Sequence, residues 1–370
     1  MLNFLDVYER VLKGPIMSEQ DFDMKVFIPA LRRVVKEYGI QYDKENPVPN
    51  DDVSADNLFD AAVDFLSQVG VYCQDTNRVI QFSKEEILDA VREAPGKCFA
   101  GEGKEAGVFR MRKPDEAKTP WLHVGSGIVA PAELYAAIRG SKIGREALRR
   151  AGRLGLPIMN LISTAAASVT TIAASAPQFG LRPTDGWLVG AISEMKIDFG
   201  AMNKSAYLLN WGANVGAESS PILGGYCGGP AGTSVVSTAY ILMGLLVQKG
   251  SYQLTFPVHF RYGCSTTRDV LWVVAASCQA ASRNIPMPVI WLGYMAGGPN
   301  TKSYFYEAAA YLLTAVTSGA PSVQTPHPAK AVKIDGITPM EARFGVEMAI
   351  AASKLNREQA NKLVIQLLEK

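Results

Sequence analysis

The sequence predicts an α/β protein, a TIM (β/α)8 barrel with an N-terminal helical elaboration. After Trp121, short apolar runs alternate with alanine-rich segments of helix length, which is the pattern of a parallel sheet covered by helices. Clusters of glycine, aromatic and polar residues follow several of the short runs, as at the strand ends of a barrel. We therefore predict three parts: a helical elaboration packed on the barrel, the barrel itself and a C-terminal helix, at residues 1–120, 121–355 and 356–370.

Local capping signals predict three helices in the N-terminal part. Ser18 and Ser54 each precede an apolar stripe with helical spacing, and Ser83 and Glu86 form a capping box. Pro29 interrupts the first stripe and predicts a kink or a break there. The predicted helices cover residues 18–38, 54–69 and 83–94, and the polar residues 104–118 are expected to be irregular.

The alternation after Trp121 predicts the barrel elements in order, although the first two barrel strands are not apparent from the sequence. The predicted strands cover residues 157–162, 196–202, 221–226, 253–260, 287–294 and 322–325. The predicted helices cover residues 146–154, 186–195, 233–248, 267–282 and 301–318. Thr338, followed by Pro339 and Glu341, begins a further helix, and a last helix follows Asn356.

Bulk composition excludes several classes of function. The 370 residues include 37 basic and 35 acidic ones, a net charge of +2, which gives no reason to expect nucleic acid or an anionic membrane as a partner. The longest apolar stretch, residues 235–247, is too short to span a bilayer. Acidic residues interrupt the apolar N-terminus, where a signal peptide needs an unbroken run. We therefore expect a cytoplasmic protein.

Cysteines and histidines give little support for a metal site. The five cysteines are widely spaced without a CxxC pair, and the three histidines form no HExxH motif. We expect neither disulfides nor a bound metal ion. Glu218 is the only acidic residue between positions 199 and 258, so a mechanism with paired carboxylates has little support there.

A glycine-rich segment follows one predicted strand. Residues 224–230 contain four glycines, which would let the backbone approach a ligand closely, or would simply form a tight turn. The segment does not match GxGxxG, so a dinucleotide site is disfavoured.

A second strand end carries His259 and Arg261. Alternation along a strand would put both side chains and Gly263 on one face, where His259 can act as an acid, a base or a hydrogen-bond donor. The alternative is structural: Arg261 pairs with a carboxylate and His259 is a satisfied core residue. The two residues are the candidate catalytic pair.

Aromatic residues predict how a substrate would be bound. Tyr226, Tyr262 and Tyr294 could share the barrel mouth with Trp187 and hold a methylated ammonium by cation–π attraction, although most such residues belong to cores. Further polar residues after the last predicted strands complete the candidate binding set: Asn300, Gln324 and His327.

Four blocks of sequence carry a resemblance that extends from the N-terminal helices to about Ala352: residues 70–80, 184–198, 221–229 and 257–268. In these blocks the chain resembles the monomethylamine:corrinoid methyltransferases of methylotrophic methanogens. That resemblance implies a TIM barrel, a small methylated amine as substrate and a corrinoid carried by a partner protein. It also implies a homo-oligomer, a hexamer as in that family.

The resemblance implies a member without pyrrolysine. Anchored on Thr184 and Asp185, the family's pyrrolysine position falls on Pro177 or, with a register one residue later, on Gln178, and neither residue can form an amine adduct. The family's adjacent acids fall on Ala231 and Gly232. The chain lacks the Asp-x-His-x-x-Gly motif that ligates cobalamin, so we expect it to bind no cofactor itself and to meet the corrinoid on a partner.

Three hypotheses remain open from the sequence. The first is a methyltransferase that passes a methyl group from a methylated amine, possibly quaternary, to the Co(I) corrinoid of a separate protein without pyrrolysine. The second is a non-catalytic homologue that binds a corrinoid protein or an amine. The third is an unrelated barrel enzyme that uses His259 and Arg261 on an anionic substrate. An aromatic-lined mouth favours the first hypothesis, a mouth plugged by Phe179 or Trp187 favours the second, and an open pocket dominated by arginine favours the third.

Overall fold

The computed structural model describes residues 2–103, 106–123, 161–164, 167–332 and 336–370. The predicted helix at 146–154 lies outside these residues. The helices cover Phe4–Lys13 (α1), Glu19–Asp21 (α2), Ile28–Glu37 (α3), Asp52–Val69 (α4), Lys84–Arg92 (α5), Val169–Phe179 (α6), Phe199–Asn210 (α7), Pro230–Leu246 (α8), Arg268–Asn284 (α9), Lys302–Thr317 (α10), Pro339–Ala352 (α11) and Arg357–Leu367 (α12). A π-helix, Phe22–Phe27, joins α2 to α3, and a short 3₁₀ segment covers Pro328–Ala331.

The strands fall into one large sheet and three small ones. They cover Val71–Cys73 (β1), Arg78–Ile80 (β2), Lys97–Ala100 (β3), Gly107–Arg110 (β4), Trp121–His123 (β5), Leu161–Ser163 (β6), Gly186–Gly190 (β7), Lys196–Ile197 (β8), Asn214–Ser219 (β9), Ile222–Leu223 (β10), Tyr252–Thr255 (β11), Val258–His259 (β12), Val289–Trp291 (β13) and Ser322–Gln324 (β14).

The large sheet has the topology of an α/β barrel. Its seven described strands lie in the order β5-β14-β13-β11-β9-β7-β6, and every pairing is parallel. Each strand from β6 onwards lies beside the next barrel strand along the chain, and the last strand pairs with the first, with Val323 opposite Leu122. The predicted TIM-barrel fold class is therefore confirmed.

Helix α8 shows how the helical layer covers the barrel, because it is buried on nearly every side. Helix α8 begins with Pro230 at its first position, where the missing N–H is no loss. Nearly all its side chains are buried, since it packs against the barrel, α4 and α9 at once. The layer therefore extends outwards into the N-terminal helices.

Ion pairs and a strand ladder fix the N-terminal part to the barrel. Tyr72 of β1 pairs in parallel with Lys196 of β8. The Lys196 ammonium, 3% exposed, lies 2.9 Å from Asp23 and 2.8 Å from Glu19. Two buried arginines tie later segments to the same body: Arg112 donates to the carbonyls of Val316 and Ala320, and Arg357 pairs with Asp115 and Asp52. The domain boundaries near residues 120 and 355 remain a prediction.

A hairpin of β3 and β4 closes the barrel at the amino ends of its strands. Strand β4 lies within residues 104–118, which the sequence predicts to be irregular. Strands β3 and β4 pair antiparallel, and Phe109 packs on Trp121 and Tyr252 inside the barrel. Two glycines permit this packing: a Cβ at Gly107 would lie 2.7 Å from the Trp121 ring, and one at Gly216 2.3 Å from the Tyr252 ring. Both positions therefore require glycine.

Three predicted barrel elements are wrong in type or position. The predicted helix at 186–195 is strand β7, and the predicted strand at 196–202 is two residues of β8 followed by α7, which Asp198 caps. The predicted strand at 221–226 lies after the true barrel strand β9. Strand β7 is buried on both faces, so it lacks the alternation that marks a strand in sequence.

Candidate functional site

A small parallel sheet stands beyond the carboxyl ends of two barrel strands. Strand β10 follows β9, strand β12 follows β11, and the pair is in register at Ile222 with Val258 and at Leu223 with His259. We call residues 221–229 together with residues 257–264 the platform. It extends the barrel at the end where barrel enzymes carry their sites.

His259 is the last residue of β12 and Arg261 lies in the turn that follows, which corrects the prediction that both alternate along one strand. The turn closes where the Gly263 N–H donates to the His259 carbonyl at 2.8 Å and the His259 N–H donates to the Cys264 carbonyl at 2.9 Å. Arg261 is exposed and stacks on Tyr262, with 5.8 Å between guanidinium carbon and ring centre. Arg261 is therefore not the buried arginine that a position inside the barrel would have required.

The His259 ring is oriented by its neighbours. Its Nδ1 accepts the Arg261 N–H at 3.1 Å, so the neutral ring carries its proton on Nε2. That Nε2 lies 3.9 Å from Asp269, and the ring centre lies 4.6 Å from that of Tyr262.

A second group of side chains lines the ends of the next strands. The Tyr294 ring lies 5.2 Å from Phe256 and 5.8 Å from His327, measured between centres. Gln324 Nε2 lies 2.8 Å from His327 Nε2. We call Phe256, Tyr294, Gln324 and His327 the mouth cluster.

Ser265 joins the platform to the mouth cluster. Its N–H donates to the Tyr294 carbonyl at 2.7 Å, and its hydroxyl accepts the Tyr294 N–H at 3.0 Å. The structure therefore brings two sets of predicted site residues into one continuous rim: His259, Arg261 and Tyr262, and Tyr294, Gln324 and His327.

Glu218 adds a carboxylate that sequence reasoning did not assign to the site. It is the fifth residue of β9, in register with Gly190 and Leu254, and Leu254 packs in the barrel interior. Glu218 therefore faces inwards at a strand end, one strand away from Phe256. Recognition of 214–219 as the barrel strand would have revealed it.

Lys204 brings a cation to the same end of the barrel. It is 7% exposed and donates from Nζ to the carbonyl of Thr164, just after β6, at 2.9 Å. Burial lowers the pKa of Lys204, and attraction to Asp198 and Glu218 acts in the opposite direction. Glu218 therefore has a positive neighbour.

The remaining predicted site residues lie elsewhere. Tyr226 is on the platform but 49% exposed, with the Lys196 ammonium 5.6 Å from its ring centre. Asn300 is exposed in the turn before α10, where its N–H donates to Glu341. Pro177 is exposed within helix α6 and is not at a strand end. Its match to the pyrrolysine position stays a prediction.

Two further predicted positions are buried structural ones. Trp187 packs on Trp211, the residue that follows α7, so it faces the helical layer and cannot plug the mouth. Gly232 lies beneath the platform, where a Cβ would come within 2.3 Å of the Cys227 carbonyl oxygen. An acidic side chain at that position would force the platform turn to move.

A buried carboxyl group lies below the platform. Glu194, in the loop between β7 and β8, is 2% exposed and accepts the Ile222 N–H at 3.1 Å. Burial raises the pKa of Glu194 to about 7, while the nearby Cys227 thiol acts in the opposite direction. Burial likewise raises the pKa of Cys227 well above its usual value.

The described residues offer no alternative site of another kind at the strand ends. Within the described ranges, no group of three or more His, Cys, Asp or Glu side chains could hold a metal ion, and none of the helices has the length and apolar character to cross a bilayer. The five cysteines are buried free thiols. A cleft of about 430 Å³ opens near Lys249 and Gly250, at the amino end of β11 and away from the rim.

Comparison with known proteins identifies relatives along nearly the whole chain. A family model described as monomethylamine methyltransferase MtmB matches residues 2–127 and 123–370. Monomethylamine methyltransferase MtmB2 of Methanosarcina acetivorans is 27% identical over 406 residues, which cover 98% of this chain and 87% of the relative. MtmB1 of Methanosarcina barkeri is 26% identical with the same coverage. The crystal structure of the Methanosarcina barkeri enzyme matches with a TM-score of 0.86 at 24% identity, over 99% of this chain and 88% of that one.

Proposed function

Because the chain belongs to the monomethylamine methyltransferase MtmB family, we propose that this methyltransferase passes a methyl group from a methylated amine to the Co(I) corrinoid of a separate protein. We further propose that it does so without pyrrolysine. All 370 residues are standard amino acids, which supports this part of the proposal.

The observation that carries the proposal is the sequence of side chains along the rim. Glu218, Phe256, Tyr294 and Gln324 lie at the ends of four neighbouring barrel strands, β9, β11, β13 and β14, and His327 touches the last two. A carboxylate beside aromatic faces attracts a small organic cation, with about 0.5–2 kcal/mol from each aromatic contact. A methylated ammonium therefore fits this rim.

The corrinoid would reach the amine from outside. In the described part of the barrel the interior is filled by side chains such as Leu188, Tyr252 and Ile290, so a macrocycle has no space there. The platform instead exposes two aromatic side chains, Phe260, which is 73% accessible, and Tyr262, which is 47% accessible. When bound on its own protein, a Co(I) corrinoid supplies the nucleophile for the methyl carbon.

This chain's residues bind the donor and hold its charge. When the C–N bond breaks, its electron pair returns to nitrogen, so an ammonium donor leaves as a neutral amine. Glu218 and the aromatic rings stabilise the ammonium before that step. The Gln324–His327 pair can orient by hydrogen bonds only a donor that carries an N–H or another polar group. A quaternary donor is chemically suitable because it is already charged and needs no covalent activation. Positioning for in-line approach then supplies much of the rate.

The exposed rim favours one alternative function. Phe260, Arg261 and Tyr262 present an accessible surface that a partner protein can contact without any substrate in the barrel. The alternative is a non-catalytic homologue that binds a corrinoid protein or an amine.

Methyl transfer to a supplied Co(I) corrinoid protein, followed by its visible spectrum, distinguishes the two functions. We expect transfer from at least one donor in a panel from methylammonium to tetramethylammonium, and loss of transfer in Glu218→Gln. Glu347→Gln, at an exposed position of α11, is the matched control. No transfer from any donor, together with retained binding of the corrinoid protein, would establish the alternative.

Two further experiments test how the donor is handled. Borohydride trapping with methylamine, read by mass spectrometry, should leave no adduct on the chain, and a stable adduct would overturn the pyrrolysine-free proposal. His259→Ala and Arg261→Ala should slow transfer while the fold stays intact. If both variants transfer at the normal rate, these two residues are structural.

Assembly and location complete the proposal. We propose a cytoplasmic homo-oligomer, a hexamer as in the resembled family, that meets the corrinoid protein at the platform rim. Light scattering at micromolar concentration should give a mass several times 39.9 kDa, and a monomer would end this part.

A further inference from the structure

One buried carboxyl group binds the start of the platform segment at residues 221–229 and lies close to its far turn. Glu194 Oε1 accepts the N–H of Ile222, the first residue of β10. The Cys227 thiol, at the far turn of the same segment, lies near enough to the same carboxyl group to oppose the rise in its pKa. Among the described residues, the other oxygen, Oε2, is buried without a hydrogen-bond partner.

The loop that carries Glu194 is itself held in place. The Met195 N–H donates to the Tyr240 hydroxyl at 2.9 Å, and that hydroxyl donates to the Ile192 carbonyl at 2.8 Å. Tyr240 lies on α8, which is buried along nearly its whole length. The backbone of Glu194 is therefore fixed to α8 and not to the platform. A change in the charge of its carboxyl group alters its hydrogen bond to Ile222 and so acts on the platform.

A short series of backbone hydrogen bonds connects the contact of Glu194 with Ile222 to His259. Ile222 and Leu223 pair with Val258 and His259 in the two-residue ladder of the platform. The Phe260 N–H donates to the Leu223 carbonyl at 2.7 Å, which extends the ladder into the turn. A shift of Ile222 would therefore displace the His259 turn directly.

We propose that Glu194 is a proton-linked positioning residue that sets the geometry of the platform, and with it the orientation of His259. The inference rests on the proposed function for its kinetic consequence only. The platform geometry itself can be measured without turnover.

The charges around Glu194 explain why its proton matters. Burial raises its pKa to about 7, and the Cys227 thiol, the Ile222 N–H and attraction to Lys196 oppose this rise, whereas repulsion by Asp23 adds to it. Tyr240 and Cys227 stay neutral, because burial raises the pKa of each well above its usual value. Glu194 is therefore the group in this cluster that changes charge near neutral pH.

Ionisation leaves a buried negative charge with one unpartnered oxygen, which favours water entry and loosening of the Ile222 contact. Protonation removes that charge and retains Oε1 as an acceptor. We expect the platform to be ordered at lower pH and to open as pH rises through about 7.

Hydrogen exchange and kinetics test the inference together. In the wild-type chain, after correction for intrinsic exchange, protection of the amides of Ile222, Leu223 and Gly263 should fall about tenfold between about pH 6 and about pH 8. The kcat for methyl transfer should fall over the same interval while KM changes less. Glu194→Gln should make both profiles flat.

The control is Glu341→Gln, a second fully buried glutamate, which caps α11 and accepts the Asn300 N–H rather than an N–H of the platform. It should keep the wild-type pH profiles even if it lowers overall stability. Wild-type exchange that does not depend on pH, or an unchanged profile in Glu194→Gln, would overturn the inference. Absence of turnover with every donor would instead overturn the proposed function, and the exchange data would still decide the role of Glu194.

Discussion

The seam between the N-terminal helices and the barrel differs from the rim in how it treats charge. At the seam, Lys196 is enclosed by Asp23 and Glu19, and Arg357 by Asp115 and Asp52. At the rim, Arg261 is exposed, and among the described residues the buried oxygens of Gln324 and Thr325 have no hydrogen-bond partner. The buried cations at the seam are thus paired with carboxylates of the fold, whereas the polar groups at the rim can still bind a ligand.

The largest effect should come from breaking the seam. Lys196→Met leaves the Asp23 carboxylate buried without its cation, which should lower the free energy of unfolding by about 3–5 kcal/mol. Urea unfolding measures this change. Lys25→Met removes an exposed partner of Asp21 in the same part of the chain and should cost no more than about 0.5 kcal/mol. Equal stabilities for the two variants would contradict the contrast between seam and surface.

The next effect depends on pH and lies between seam and rim. The pKa of Glu194 is about 7 in the folded chain and about 4.5 when exposed. The folded state holds this proton more tightly, so its contribution is fully present below pH 4.5 and is lost as pH rises to 7. Glu194→Gln should remove this decline, about 3 kcal/mol at most. Unfolding midpoints at a series of pH values would show it, and parallel curves for variant and wild type would refute it.

A smaller stability effect is expected at the rim. Gln324→Met removes the hydrogen bond to His327 and should cost about 1 kcal/mol, with a rise in KM for the amine. Gln248→Met, which removes a bond to the Val189 carbonyl inside the barrel wall, should cost a similar amount and leave KM unchanged. Thermal unfolding and steady-state kinetics separate the two, and a KM that rises equally in both would remove Gln324 from the site.

The smallest stability effect sharpens the comparison most. Arg261→Ala changes an exposed side chain and should alter the free energy of unfolding by no more than about 0.5 kcal/mol. It should nevertheless slow methyl transfer, because Arg261 lies beside His259 on the rim. Arg343→Ala, exposed on α11, is the control for a lost surface arginine and should leave both stability and rate unchanged.

Local signals allowed the helices to be predicted more accurately than the strands. The capping boxes at Ser83 and Thr338 are confirmed, and Pro29 does mark the point where the π-helix gives way to α3. Ser54 is not the cap of α4, since Asp51, three residues earlier, accepts the N–H groups there. Capping depends on residues within one turn, so sequence alone specifies it to within a few positions.

Strands depend on partners that are distant in the sequence, so their bounds are harder to predict. Site residues at the ends of wrongly placed strands were mispredicted for the same reason. Strand β9 was missed because Asn214–Ser219 contains glycine, serine and glutamate and gives no apolar run, and Glu218 was missed with it. Tyr294, Gln324 and His327 were easier to propose because β13 and β14 were placed nearly correctly. His259 and Arg261 were assigned to one strand face because nothing in the sequence marked the turn that Gly263 closes.

The pairing of β5 with β14 also limits the order in which the chain can fold. Trp121 and Ser322 are neighbours in the sheet. Arg112 donates to the carbonyls of Val316 and Ala320, which lie 204 and 208 residues later in the chain. Contacts between such distant residues form late, because a long loop must close before they contribute anything. During synthesis, the edge of β5 therefore stays open until the segment around residue 322 has left the ribosome. The N-terminal third would need protection from aggregation for most of that time.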